Sequence, residues 1–534
     1  MKASIHKRLY NWHSLTGLCS TVLLVALCLT ALPAIFIKDI SQWLTPIETI
    51  TPISSITPFT KNTPPLSSMP ALDEWVTHAH AQFDLAGEEF HIRSNGSQSP
   101  YTLWMSQNGI FTAFVLNEQG EFKEHSGAAA SKILAEVHHN FLLPDPYGEY
   151  LVGLLGLAML ALVFMGILLH KKWKTEKTQL RQHRSRRLLL SDLHKVLGLW
   201  LLPFHIFVSY TGATLGLGSL LLIVAAVSAF NGDQDAAVAA VLGKEPTMSG
   251  QQCVMHSPQN ITQTANQHWQ KKYGENHISD IEIHGWLDCS AQITIASAIP
   301  GYLLSSNALT YSLTTGQLIN EIDWIPSGLG ERWYASLGPL HFGTYAGYVS
   351  QWLFFISAIL LAIMMVSGML LWLNKQHSNH AEPLLAKSLF IKCLTACCMG
   401  ISLASAVLLF TAQLQNLNVI TINTGFDPLF YKGLYGASFL CAALLCLFNL
   451  RFWKLISYGV SITLFASVFI HIMSFQSIGS TMATNFVLCM SAILFFVLPN
   501  YKIFKTFADS HSPEMSSLST SKPESLNPHH STHN

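Results

Sequence analysis

Twenty-four histidines against 30 lysines and arginines together stand out in this chain. Four of them sit where an imidazole can do chemistry. His13 and His194 share the pattern His-x-x-x-Gly-Leu, completed by Gly17-Leu18 and Gly198-Leu199, and each opens a long apolar run. His138 and His341 stand just before two further apolar runs. An ionisable residue at a membrane span is costly, so a functional role is its first explanation. If the two copies of this pattern pack as one bundle, His13 meets His194 at one depth and His138 meets His341 at the other. Two facing imidazoles supply both axial positions of a six-coordinate b-type haem iron, which needs no Cys-x-x-Cys-His attachment. None occurs in the sequence. Gly17 and Gly198, one helical turn beyond their histidines, project no side chain and leave room for a flat macrocycle. The expectation is two haems b, with His13, His138, His194 and His341 as iron ligands.

Other histidines compete with this set. His205 lies eleven residues after His194, close to three helical turns, and so shares its face. It is a fifth cofactor-binding candidate, as ligand or on the electron path. The alternative is a hydrogen bond to a carbonyl freed by Pro203. His139 rivals His138, and the residues alone leave that choice open. His170, beside Lys171 and Lys172, reads as a solvated flank, and His471 as structural.

The elements that must position these residues are membrane helices. The chain of 534 residues has 50% hydrophobic and only 11% charged residues, where a soluble domain has about 25% charged. Uncharged stretches run at 14–37, 150–169, 196–230, 342–374, 393–426, 433–450 and 455–501. The last is long enough for two spans, with a turn expected at Phe475–Ser480. About eight helices follow. No clean small-x-small cleavage site follows Ala31-Leu32-Pro33, so the first is expected to stay as a span. Positive charge sets the orientation. Lys2, Lys7 and Arg8 precede the first span, and the short stretch 171–195 holds nine basic residues from Lys171 to Lys195. The long segments 38–149 and 231–340 hold few. Both long segments should face outward and both termini the cytoplasm. A net charge of +0 argues against nucleic acid as a partner.

Each outward segment reads as a small α+β module. In the first, 71–83 has helical periodicity, while 88–93, 101–106 and 111–116 have strand composition, with a turn at Asn117–Gly120. In the second, a helix near 260–273 precedes strands near 278–284 and 292–297, and Tyr311–Gln317 repeats the strand-then-glycine ending. Segment 45–70 reads as a linker and 508–534 as a disordered tail. Eight of ten cysteines lie in or beside apolar runs; only Cys253 and Cys289 fall in an outward module, as a disulfide or as two free thiols. Helix, outward module, histidine, helix thus occurs twice, a parallel repeat of the kind that places functional sites at its interface.

Taken together, Trp12-His13 through Gly17, Val137-His138 through Gly148, Asp192-Leu193-His194 through Pro203, and Leu340-His341-Phe342-Gly343 through Ser367-Gly368 to Trp372 resemble the PepSY-associated transmembrane family of iron-regulated membrane proteins. The resemblance covers residues 1–375. It implies that the bundle is an all-α membrane fold carrying two PepSY-like periplasmic domains, and that the chain sits in a bacterial inner membrane. It favours His138 over His139. Similar members are di-haem reductases of ferric siderophores that release Fe(II) in the periplasm. The implied domains are spans 1–37, 150–170, 196–230 and 341–375, outward domains 38–149 and 231–340, the basic loop 171–195, and a region 388–500 of four further helices. The last lies outside the resemblance, its role open among quinone access, partner docking and packing.

The function expected is a transmembrane electron conduit. The donor is a quinol or another protein, because no dinucleotide fingerprint is present: Gly216-Leu217-Gly218 lies in an apolar span with Leu221 where a third glycine would stand. No nucleophile triad, P-loop or His-Glu-x-x-His occurs. Trp286, Trp324, Trp333 and Tyr334 are candidates for an aromatic surface toward the substrate, or for packing. Two rival functions stand beside this one: a non-enzymatic sensor or peptidase-modulating anchor, and a ferric-chelate transporter. Near-absence of intramembrane acidic residues counts against the transporter.

Overall fold

The computed structural model describes residues 3–44, 72–94, 101–107, 110–116, 122–124, 126–170, 174, 178–181, 185–242, 246–377, 384–417, 419–420, 427–474 and 481–500. The expected linker, the tail, and the turns at Asn117–Gly120 and Phe475–Ser480 lie outside these residues. The first helices are α1 (Ala3–Ile35), α2 (Ile37–Leu44), α3 (Leu72–Phe83), α4 (Ser126–Asn140), α5 (Tyr147–Leu169), α6 (Arg186–Trp200), α7 (Leu202–Gly216) and α8 (Gly218–Ala229). They are followed by α9 (Gln234–Leu242), α10 (Pro258–Tyr273), α11 (Leu329–Phe342), α12 (Gly347–His377), α13 (Leu384–Asn416), α14 (Asp427–Phe448), α15 (Phe452–Ser474) and α16 (Met482–Val497). Among the described residues, seven helices are long and apolar enough to cross a membrane, and α6 with α7 makes an eighth if the bent pair is one span.

The third expected span differs from its sequence reading. Stretch 196–230 is not one helix: α6 and α7 meet at 71°, and α8 follows. The break sits at Leu201, because Pro203 in the first turn of α7 has no N–H and its ring excludes the carbonyl four residues back. α6 also starts at Arg186, inside the stretch expected as a basic loop, so His194 lies within a helix. Ser185 caps it, accepting from the Leu188 N–H at 3.3 Å. Buried Asp192 anchors the preceding loop by accepting two hydrogen bonds from the Arg181 guanidinium, at 2.6 and 2.9 Å.

α7 packs on α5 backbone to backbone. A Cβ on Gly153 would fall 2.8 Å from the Gly216 carbonyl carbon, and one on Gly156 would fall 2.8 Å from the Ala213 nitrogen. Gly153 and Gly156 of α5 against Gly216 and Ala213 of α7 thus form a small-residue contact of the kind that lets membrane helices approach closely.

On one side of the bundle the two α+β modules do not stand apart. Their strands, β1 (Glu89–Ser94), β2 (Tyr101–Gln107), β3 (Ile110–Leu116), β4 (Phe122–Glu124), β5 (His277–His284), β6 (Gln292–Ala298), β7 (Asn307–Ser312) and β8 (Leu318–Ile322), form one antiparallel sheet. Its order is β4-β3-β2-β1-β5-β6-β7-β8. Two four-stranded meanders thereby join through their first strands, which covers an edge that each alone would expose. Alternation along each strand sends Phe90 and Ile92, Ile281 and Ile283 into a single core shared with Trp75 and Val76 of α3 and Ile261 and Trp269 of α10. Cys253 and Cys289 form a disulfide beside β5.

α13–α16 pack around α2 and α4 in another core containing Trp43, Ile133, Tyr431 and Val460. Polar ties fix this join. Trp43 Nε1 donates to Asn485 at 2.7 Å, Asn416 donates to the Leu44 carbonyl at 2.6 Å, and Lys432 pairs with Glu136 of α4 at 3.1 Å. The C-terminal helices therefore buttress the helix that carries His138.

Candidate haem-binding sites

Four of the singled-out histidines meet in two pairs. His13 of α1 and His194 of α6 have ring centres 6.2 Å apart with planes at 78°. His138 of α4 and His341 of α11 have ring centres 6.4 Å apart with planes at 28°. Metal–imidazole bonds of about 2 Å, plus roughly 1 Å from ring nitrogen to ring centre, put two rings that share one metal about 6 Å apart. Both pairs have that separation. His138 and His341 ride on short helices that lead into α5 and α12.

Hydrogen bonding selects which ring nitrogen faces the gap. His194 Nδ1 lies 2.9 Å from the Met364 carbonyl, an acceptor only, so Nδ1 carries the proton. His138 Nδ1 lies 3.2 Å from Thr30 Oγ1, whose own hydrogen goes to the Ala26 carbonyl at 3.0 Å. His341 Nδ1 lies 2.9 Å from Thr211 Oγ1, whose hydrogen goes to the Phe207 carbonyl at 2.6 Å. In each case the hydroxyl has its donor spent on its own helix and accepts from the ring. Nε2 is then the unprotonated nitrogen, and among the described residues no hydrogen bond engages it. That is the tautomer and outer-shell support that histidine ligands to metals show. Among the described residues, Nδ1 of His13 has no such partner.

Glycines hold the rings from behind. A Cβ on Gly368 would fall 2.6 Å from His194 Nδ1 and Cε1, one on Gly212 3.1 Å from His341 Cε1, and one on Gly166 3.7 Å from His13 Cε1. The sequence reading had singled out Gly17 and Gly198 instead. Those two line the cavity near the inner pair, where a Cβ would meet Leu162 at 3.9 Å and Met364 at 3.4 Å. The supporting glycines were missed because they lie on the partner helices, and helical spacing relates residues only within one helix.

Between the spans at His13 and His194 lies a cavity of about 860 Å³, within the range of sites that hold drug-sized ligands. Its walls are apolar, from Leu24, Met159, Leu361 and Met365, and its rim carries His6, His170 and Lys195. Apolar walls with a lysine and two histidines at the rim suit a flat macrocycle bearing two carboxylates. His170, read as a solvated flank, is thus part of that rim. His205 lines the same cavity, 1% exposed, and its buried Nε2 has no hydrogen-bond partner among the described residues.

The remaining candidates separate cleanly. His139 turns away from His341 to Glu149, at 3.3 Å, with its side chain 58% exposed. His471 is buried against Trp43, ring centres 4.8 Å apart, with Nε2 3.1 Å from Thr481 Oγ1. Trp286 is buried in the sheet core and offers no surface to a substrate. Trp333 and Tyr334 are exposed, with Trp333 against Tyr210 of α7 at 5.7 Å. That is where a membrane-interface belt places aromatic rings.

His138 is itself held to the next span. Asn140 donates to Asp145 at 3.0 Å and accepts from the Leu142 N–H at 2.9 Å, and Gly148 abuts the Asn140 backbone so closely that a Cβ would sit 2.4 Å from its carbonyl oxygen. On the His341 side, Gly343 ends α11 at φ +64°, and Ser350 donates to its carbonyl at 2.5 Å.

A multi-pass membrane bundle with two facing histidine pairs and an eight-stranded sheet domain is the class defined here. The chain belongs to the PepSY-associated TM region family, whose profile matches residues 10–375. It is similar to an uncharacterized protein of Pseudomonas aeruginosa, 26% identical over 307 residues, which cover 53% of this chain and 73% of that protein.

Proposed function

We propose that this protein is a di-haem b electron-transfer protein of a bacterial inner membrane that reduces a ferric siderophore on the outward side. The observation that carries the reading is the pairing of His13 with His194 and His138 with His341 at a shared-metal separation, three of the rings held as the Nδ1–H tautomer. Bound haems would supply one-electron carriers at two depths. The residues of this chain do the rest. The Met364 carbonyl, Thr30 and Thr211 orient the rings and keep Nε2 basic. Leu24, Met159, Leu361 and Met365 exclude water from the inner site, which favours the uncharged resting environment a carrier needs.

Each ferric ion takes one electron and becomes Fe(II), which hard oxygen donors hold less well. The electron comes from a quinol or a protein donor. Basic residues flanking α1 and α6 support a cytoplasmic side for the His13/His194 pair, with both termini there. The sheet with its Cys253–Cys289 disulfide then faces an oxidising periplasm.

The test is the visible spectrum of the purified protein before and after dithionite, with haem-to-protein stoichiometry. Two low-spin b haems per chain, reoxidised on adding a ferric siderophore, are expected. Haem-free protein from haem-replete cells would sink the proposal and leave the sensor, anchor or transporter readings.

A further inference from the structure

His205 is a buried imidazole outside both pairs. It lies on α7, 1% exposed, and lines the inner cavity, and its Nε2 has no hydrogen-bond partner among the described residues. His13 and His194 face each other at the shared-metal separation, which fills both axial positions of one iron. His205 therefore needs a partner other than that iron, because an unpaired polar atom buried among apolar walls is costly. Water is a poor remedy. A buried water needs about three polar partners, and Leu24, Met159, Leu202, Leu361 and Met365 on these walls offer none. The apolar edge of a macrocycle offers none either, and its carboxylates suit the rim at Lys195.

The cavity has room and access for a second occupant. The face of α1 that lines it runs from His6 to Leu24, about 27 Å at the α-helical rise and longer than one macrocycle. Leu18 of α1 and Ile167 of α5 line it too, yet are 38% and 45% exposed. One layer of side chains there separates the cavity from the outside of the bundle, which at that depth is lipid. Among the described lining residues none is Asp or Glu. The occupant must be apolar enough to arrive through lipid and must carry a hydrogen-bonding group for His205. A quinol is both, and it is a two-electron donor.

Resting on the di-haem reading above, we propose that the inner cavity also binds a membrane quinol. The quinol enters between α1 and α5 past Leu18 and Ile167, and a ring hydroxyl hydrogen-bonds to His205 Nε2. A hydroxyl both donates and accepts, so it pairs with that nitrogen in either protonation state. The quinol leaves as quinone, having given up two electrons and two protons. Two ferric chelates take one electron each, and the protons pass to water at the cytoplasmic rim. His205 is thus a quinol ligand on α7, the helix whose Thr211 also holds His341.

The test is photolabelling of the full-length detergent-solubilised protein with an azidoquinone carrying an isoprenoid tail. Labelled peptides are mapped by mass spectrometry, and haem is counted in the same sample. Labelling of α1, α5 and α7 at residues that line the cavity, competed by excess decylubiquinone, is expected. His205→Leu should cut it about tenfold at limiting probe while two haems per chain remain, and His205→Gln, whose amide donates and accepts, should restore most of it. Two haems with no competed label in the cavity, or equal labelling of wild type and His205→Leu, overturns the quinol site, leaves the electron-transfer reading standing and points to a protein donor. Haem-free wild type sinks both. If His205→Leu does not fold, Leu18→Trp, which crowds the opening, is held to the same loss of label.

Discussion

The two histidine pairs have nearly the same separation, 6.2 and 6.4 Å, but are built differently. His13 and His194 ride on membrane helices, stand at 78°, and border a cavity whose lining includes Lys195. His138 and His341 ride on short helices outside the spans, stand at 28°, and are each bonded to a threonine of a neighbouring helix. In the first pair one ring, His194, is fixed by a hydrogen bond, to the Met364 carbonyl, whereas in the second both rings are. The His138/His341 pair has further supports: the sheet domain leads into α11, and α13–α16 grip α4.

Removing a ring should have the largest effect. His194→Ala and His341→Ala should each halve the haem content and abolish siderophore reoxidation, read by pyridine haemochrome and stopped flow. A chain that keeps two haems in either variant would break the pairing. Next, low-temperature electron paramagnetic resonance of the oxidised protein should show two low-spin ferric signals. The near-perpendicular inner pair should give the strongly anisotropic one and the near-parallel outer pair the rhombic one, and His194→Ala should remove only the former.

Packing predicts a graded series. Gly368→Ala drives a Cβ to 2.6 Å from His194 and should cost about 1–3 kcal/mol of overpacking, leaving the inner haem substoichiometric. Gly212→Ala, at 3.1 Å from His341, should shift the haem of the second pair less. Thr211→Val orphans the His341 Nδ1–H, a loss of about 1–3 kcal/mol seen as weaker outer haem retention, with Thr211→Ser restoring it. Smallest for both haem spectra is Cys253→Ser with Cys289→Ser. It should destabilise the sheet domain by about 2–4 kcal/mol in denaturant unfolding while the spectra stay unchanged.

Much of this architecture was legible in the residues. Apolar runs announce the spans because a bilayer demands about 20 apolar residues, whatever packs beside them. The strands around Phe90, Leu103, Ile281 and Ile293 were visible from their alternation. Two features were not. The bend at Leu201 hid because Pro203 sits in a continuous apolar run, where hydropathy carries no angle. The fusion of both modules into one sheet hid because pairing between β1 and β5 joins strands nearly 200 residues apart, a contact no local period records.

The sequence by itself determined the membrane class, the repeat, the family resemblance and the histidines worth asking about. These follow from composition and short spacings, which act within one helix or one strand. Tertiary structure alone decided that Gly368 and Gly212 back the rings, that Thr30, Thr211 and Met364 choose the protonated nitrogen, and that β1 and β5 meet at a seam, and it set His138, which the resemblance had favoured over His139, against His341. Each of these is a contact between elements distant in the chain, and the direction of a side chain there is set by the helix or strand it packs against, which its own neighbours in sequence do not specify.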